Sequence, residues 1–172
     1  MRSTWLLLAV LLLLCGVVGA LFLREEAPHS RGIAHPEHGA MMLGADGESR
    51  HGELLGLGWA FAALQVVFFV GLLGLALRRG GRVPMRGALL AGGALHVLAF
   101  TMMFRSYEAF ARGEPVELFL GFPPPTAWML LGVWGAPIFF LLLYVLRFRA
   151  LIWDAESRER FERLVAQRRA SS

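Results

Sequence analysis

From Thr126 to Leu146 the chain carries no charged side chain. About twenty apolar residues rising 1.5 Å each match the ~30 Å hydrocarbon core of a bilayer, so this run has the length of a spanning helix. A helix also satisfies its backbone donors and acceptors internally, which lipid demands of any segment that crosses it. Just before the run, Pro123-Pro124-Pro125 cannot occupy a helix interior, because proline lacks the amide donor and clashes with the preceding turn. They predict a stiff extended lead-in with Pro125 or Thr126 at the mouth of the helix. Trp128 and Trp134 in its first half and Arg147 and Arg149 at its far end are headgroup-level anchors.

Three more runs follow the same rule. Residues 1–23 hold a leucine-rich uncharged stretch from Trp5 to Leu23, read as a first span. With Arg2 ahead and Gly19-Ala20 behind, the same stretch also fits a secretory signal or an uncleaved signal anchor. Residues 53–77 give a second span, in which Gly52, Gly56, Gly71 and Gly74 allow close backbone approach to a neighbour. Residues 87–104 give a third, which Phe104, Tyr107, Phe110 and Ala111 extend at helical spacing until Gly113 and Pro115 stop it. The expected fold is all-α: an integral membrane protein of four transmembrane helices with a short cytoplasmic amphipathic C-terminal helix. At 56% hydrophobic residues and a mean hydropathy of +0.56, the chain is too apolar for an ordinary soluble domain.

All 17 basic residues are arginine, and the net charge is +4. In a soluble protein that excess would suggest nucleic acid. Here the arginines crowd at helix ends and in the tail, so lipid headgroups are the expected partner and nucleic acid is not. Their distribution also orients the chain. Residues 24–52 carry three arginines, 78–86 four, 105–126 two, and the stretch after Leu146 seven. The positive-inside rule then places both termini and the basic turn (Arg78, Arg79, Arg82, Arg86) in the cytoplasm of a bacterial inner membrane. The 24–52 loop and the proline-rich 105–125 connection face outward. In the tail, Asp154 is read as an N-cap, and Glu156–Arg160, Arg158–Glu162 and Glu159–Arg163 are spaced for i,i+4 pairing. Phe161, Leu164 and Val165 mark one apolar face.

Candidate chemistry is sparse. Residues 24–52 are rich in glycine, proline and charge and are read as a loop, with at most a helical turn after His35-Pro36. It holds His29, His35, His38 and His51, four of the five histidines. His35 and His38, with Met41 and Met42, form the best metal candidate, since imidazole and thioether ligands together suit copper. Gln65 and His96 are the polar residues at membrane depth, where an unpaired polar group is costly, so a hydrogen bond between them across the second and third spans is one expectation. A sharper one makes His96 a proton relay or a haem ligand, which would need a second histidine from a homodimer or a partner. Arg105 and Glu108 read as an interface pair. The lone Cys15 can form no intrachain disulfide. No phosphate loop, nucleophile elbow, paired-cysteine motif or zinc helix is present, and no charge lies well inside a span. An enzyme or an autonomous ion-driven transporter is therefore not expected.

Leu118-Phe119-Leu120-Gly121-Phe122 is too apolar for a free loop, which predicts contact with the membrane interface or another subunit. Leu120-Gly121-Phe122-Pro123 leads into a helix with Trp128, and the chain continues through Leu143-Tyr144 to the basic-acidic tail. In these features residues 112–163 resemble the small two-helix membrane subunits that accompany sodium:solute symporters. Gly132-Val133-Trp134-Gly135 stands where that family often carries a polar Gln-Gly-Ser signature. The resemblance implies a non-catalytic partner of a larger transporter that supports its assembly or stability. Phe119, Phe122, Pro123, Trp128 and Trp134 are the expected interface. Two readings follow: an accessory subunit needing no cofactor, or a copper- or haem-binding protein using the outer loop and His96.

Overall fold

The computed structural model describes residues 2–26, 31–44, 46–76, 83–151 and 155–170. Within them the chain is mostly helical, and four helices are long and apolar enough to cross a membrane. The order is α1 (Arg2–Phe22), a small hairpin of β1 (Ile33–Ala34) and β2 (Met42–Leu43), α2 (Gly47–Ala76) and α3 (Val83–Ala111). A composite fourth span follows, made of α4 (Pro124–Ala127), a π-helix (Trp128–Val133) and α5 (Ala136–Leu151), and then α6 (Ala155–Ala170). The basic residues Arg78, Arg79 and Arg82, the N-cap candidate Asp154 and His29 lie outside the described residues.

α2 begins at Gly47, earlier than the apolar run alone indicates. Asp46 is the reason: its carboxylate accepts from the Ser49 amide at 2.9 Å, and its carbonyl accepts from the Ser49 hydroxyl at 2.9 Å. An Asp before the first turn satisfies amides that have no intrahelical acceptor. At 30 residues α2 is about 45 Å long, so it outruns the hydrocarbon core. Its N-terminal end packs on the C-terminal end of α3, where a Cβ on Gly47 would lie 3.4 Å from Ala111. His51 therefore sits on a helix beside Tyr107, with ring centroids 6.1 Å apart, and not in the loop. α3 stops at Ala111, and Gly113 takes a positive φ of 72° just beyond.

α3 lies between α2 and the fourth span, while α1 packs on α2. Small residues set the spacing. A Cβ on Gly93 would lie 2.8 Å from Val70, and one on Gly92 would lie 2.5 Å from Phe139. Gly71 likewise meets Leu7 of α1, whereas Gly56 and Gly74 face open space. Nine hydrophobic residues are buried among those described, and no large side chain is fully buried. So thin a core leaves most of each helix facing outward, as lipid or a second protein requires. On α6 the three i,i+4 ion pairs form at 3.0–3.3 Å, with Phe161 and Leu164 exposed.

Candidate functional site

The histidine loop between α1 and α2 is a hairpin, with no helical turn after His35-Pro36. Ala34 faces Met42, and the His35 amide donates to the Met41 carbonyl at 3.1 Å. Side chains alternate along a strand, so this register sets Met41 beside His35 and turns Met42 to the other face. The rings of His35 and His38 are 4.8 Å apart. His35 Nδ1 accepts from the amides of Glu37 (3.1 Å) and His38 (3.2 Å), so the ring holds the turn and keeps only Nε2 free. Among the described residues no group of three His, Cys, Asp or Glu side chains could hold a metal ion.

Inside the span region, Gln65 and His96 do not pair. Gln65 is exposed, and its side-chain amide makes no hydrogen bond to another described residue. His96 turns to the fourth span, where the Val133 backbone hydrogen-bonds its ring, and it stacks on Phe100 at 5.2 Å. Nδ1 is buried without a partner, so the donor is Nε2–H. The chain itself explains why Val133 has a carbonyl to offer. The helical donor to that oxygen would be the amide four residues on, and residue 137 is proline. Around it the ladder is rearranged: Trp134 N–H reaches back to the Met129 carbonyl at 3.0 Å, and Ile138 N–H to the Gly135 carbonyl at 3.1 Å. This widened turn is the π-helix. Gly135 is required there, because a Cβ would collide with the Leu131 carbonyl.

The polar link between α2 and α3 is a different pair. Trp59 Nε1–H donates to Thr101 Oγ1 at 3.0 Å, and the Thr101 hydroxyl donates to the Val97 carbonyl at 2.8 Å. A threonine in an apolar run was the available signal, since hydroxyls at this depth seek partners on neighbouring helices. Glu108 pairs with Arg112 at 3.1 Å, not with Arg105.

Between α3 and α4, Phe119 and Phe122 close a turn by two backbone bonds of 2.9 and 3.0 Å. Leu120 (φ 51°) and Gly121 (φ 81°) form its tip. Positive φ at both central residues is the signature of a type I′ turn, normal for Gly121 and unusual for Leu120. The side chain of Leu120 is 72% exposed. Pro123 then caps α4, its carbonyl accepting from the Ala127 amide at 3.0 Å, so the helix starts at Pro124. Phe119, Pro124, Trp128, Leu131 and Gly132 line a groove of about 420 Å³ beneath the turn. Of the residues expected at an interface, Phe119 and Trp128 line that groove; Phe122 pairs with Phe119 across the turn, Pro123 precedes α4, and Trp134, 71% exposed, lies outside the groove. Compared with known protein families, with curated proteins and with solved structures, the chain matches none.

Proposed function

We propose that this chain is a non-catalytic accessory subunit of a larger membrane assembly, a solute transporter, in a bacterial cytoplasmic membrane with both termini cytoplasmic. The observation that carries the reading is the Leu120 turn. Holding a leucine in the left-handed region costs about 1–2 kcal/mol, and the return here is an apolar tip fixed in place beside an apolar groove. Such strain, held by two backbone bonds and spent on an exposed leucine, fits a contact site for another protein. The Gln65 amide supports the same reading, since an unpartnered amide on an outward helix face at membrane depth is best satisfied by a neighbouring chain. The test is a photo-crosslinking residue at Leu120, activated in native membranes, with the adducts identified by mass spectrometry. The expected product is a multi-span transporter, lost when Phe119 or Trp128 is changed to alanine. Adducts to lipid alone, or to a second copy of this chain, would refute the proposal.

A second reading, a copper-binding outer loop, rests on the 4.8 Å approach of His35 and His38 and on the register that brings Met41 beside them. Its test is Cu(I) titration of the purified protein. Stoichiometric uptake lost in His38→Ala and Met41→Ala, but kept in Met42→Ala, is the expected pattern. Equal loss in all three, or no uptake, would refute it.

A further inference from the structure

α2 and α3 close on each other at Gly93 and Val70, and outside that contact they leave an open groove of about 740 Å³. Val67 and Gly74 form part of one wall, and Leu90, Ala94 and Leu98 part of the other. Arg86 lines one end and Thr101 the other. At 1.5 Å per residue these lie about 22 Å apart along α3. One leaflet accounts for about half of the ~30 Å hydrocarbon core, so the groove offers apolar wall over a full leaflet depth, starting from Arg86.

Among the described residues, none packed around Arg86 offers it a counter-charge. The sequence holds no carboxylate between Glu53 and Glu108, which spans both groove walls. α1 and α5 contain none either. In α6 the glutamates Glu156, Glu159 and Glu162 each pair with an arginine of that same helix. An exposed guanidinium at the mouth of an apolar groove calls for an anion carrying a hydrocarbon chain. We propose that the groove between α2 and α3 is a binding site for one anionic phospholipid, its acyl chain along Val67, Ala94 and Leu98 and its phosphate on Arg86.

The experiment is native mass spectrometry of the delipidated full-length protein, offered phosphatidylglycerol and phosphatidylcholine in competition. A basic residue near the membrane surface favours anionic lipid by about fivefold, which is the expected preference of the wild type. Arg86→Gln should abolish the preference and keep the site. Ala94→Phe, which fills the groove, should remove bound lipid of either headgroup, while Leu142→Phe on the exposed face of α5 should change nothing. Gly74→Leu repeats the block should Ala94→Phe fail to fold, because a Cβ there enters open space. Equal retention of both lipids by the wild type would overturn the proposal. So would full occupancy in both blocking variants, or a dimer that they dissociate, since the groove would then belong to a second copy.

Discussion

Replacing His96 by leucine tests the reading of the fourth span most directly. In the wild type, His96 Nε2–H is the donor to a Val133 carbonyl that Pro137 leaves without its helical partner. Removing a donor from a buried acceptor costs about 1–3 kcal/mol in general, whereas interhelical bonds in lipid average about 0.6 kcal/mol with a maximum near 1.7. The substitution also removes Nδ1, a buried acceptor with no partner, which offsets part of the loss. The expected destabilisation is therefore about 1 kcal/mol. Pro137→Ala restores the amide that the carbonyl lacks. In that background Val133 no longer needs the imidazole, and His96→Leu should become nearly neutral, a coupling of about 1 kcal/mol in the double-mutant cycle. Unfolding the four proteins by dodecyl sulfate titration in mixed micelles, followed by far-ultraviolet circular dichroism, measures each corner. If His96→Leu costs the same in both backgrounds, the bond to Val133 is not what holds His96, and the account of the π-helix falls with it.

Gly92→Val should destabilise the same unfolding transition by about 1–3 kcal/mol, because its Cβ enters the space of Phe139, while Gly56→Ala, facing open space, should be within about 0.5 kcal/mol of wild type. Thr101→Val leaves Trp59 Nε1–H without its acceptor and should cost about 0.6–1.7 kcal/mol with a shift in tryptophan emission; an unchanged midpoint and spectrum would mean that the bond is absent in the membrane. For orientation, single cysteines at Gly39 and Ser157 in a Cys15→Ser background should react with an impermeant maleimide from opposite sides, Gly39 outside and Ser157 only after lysis; labelling of Ser157 but not of Gly39 in intact cells would reverse the positive-inside assignment.

The existence and order of the four long apolar helices were legible in the sequence. In a membrane each segment satisfies its own backbone, so an uncharged run of sufficient length already implies a helix. The overhang of α3 to Ala111 and the α6 ion pairs were legible for a similar reason, since both depend on neighbours three or four residues away. Asp46 with Ser49 was a readable cap, hidden only because the polar stretch around it carries no apolar period. The Leu118–Phe122 turn could be recognised as too apolar for a free loop, but not as a strained hairpin. Leucine gives no sign of positive φ, and only the two bonds between Phe119 and Phe122 impose it.

Partner choice at membrane depth belonged to the tertiary structure. Sequence placed Gln65 and His96 on adjoining spans, and the absence of other polar groups at that depth suggested a bond between them. Depth follows from position along one helix, but direction around the axis depends on which faces the helices press together. Close packing of Gly92 on Phe139 and of Gly93 on Val70 fixes the rotation of α3, and in that setting the His96 ring meets Val133. The free carbonyl there is a consequence of Pro137, a residue visible from the start. That an imidazole on another helix fills it depends on contacts far apart in the chain, which no local pattern encodes.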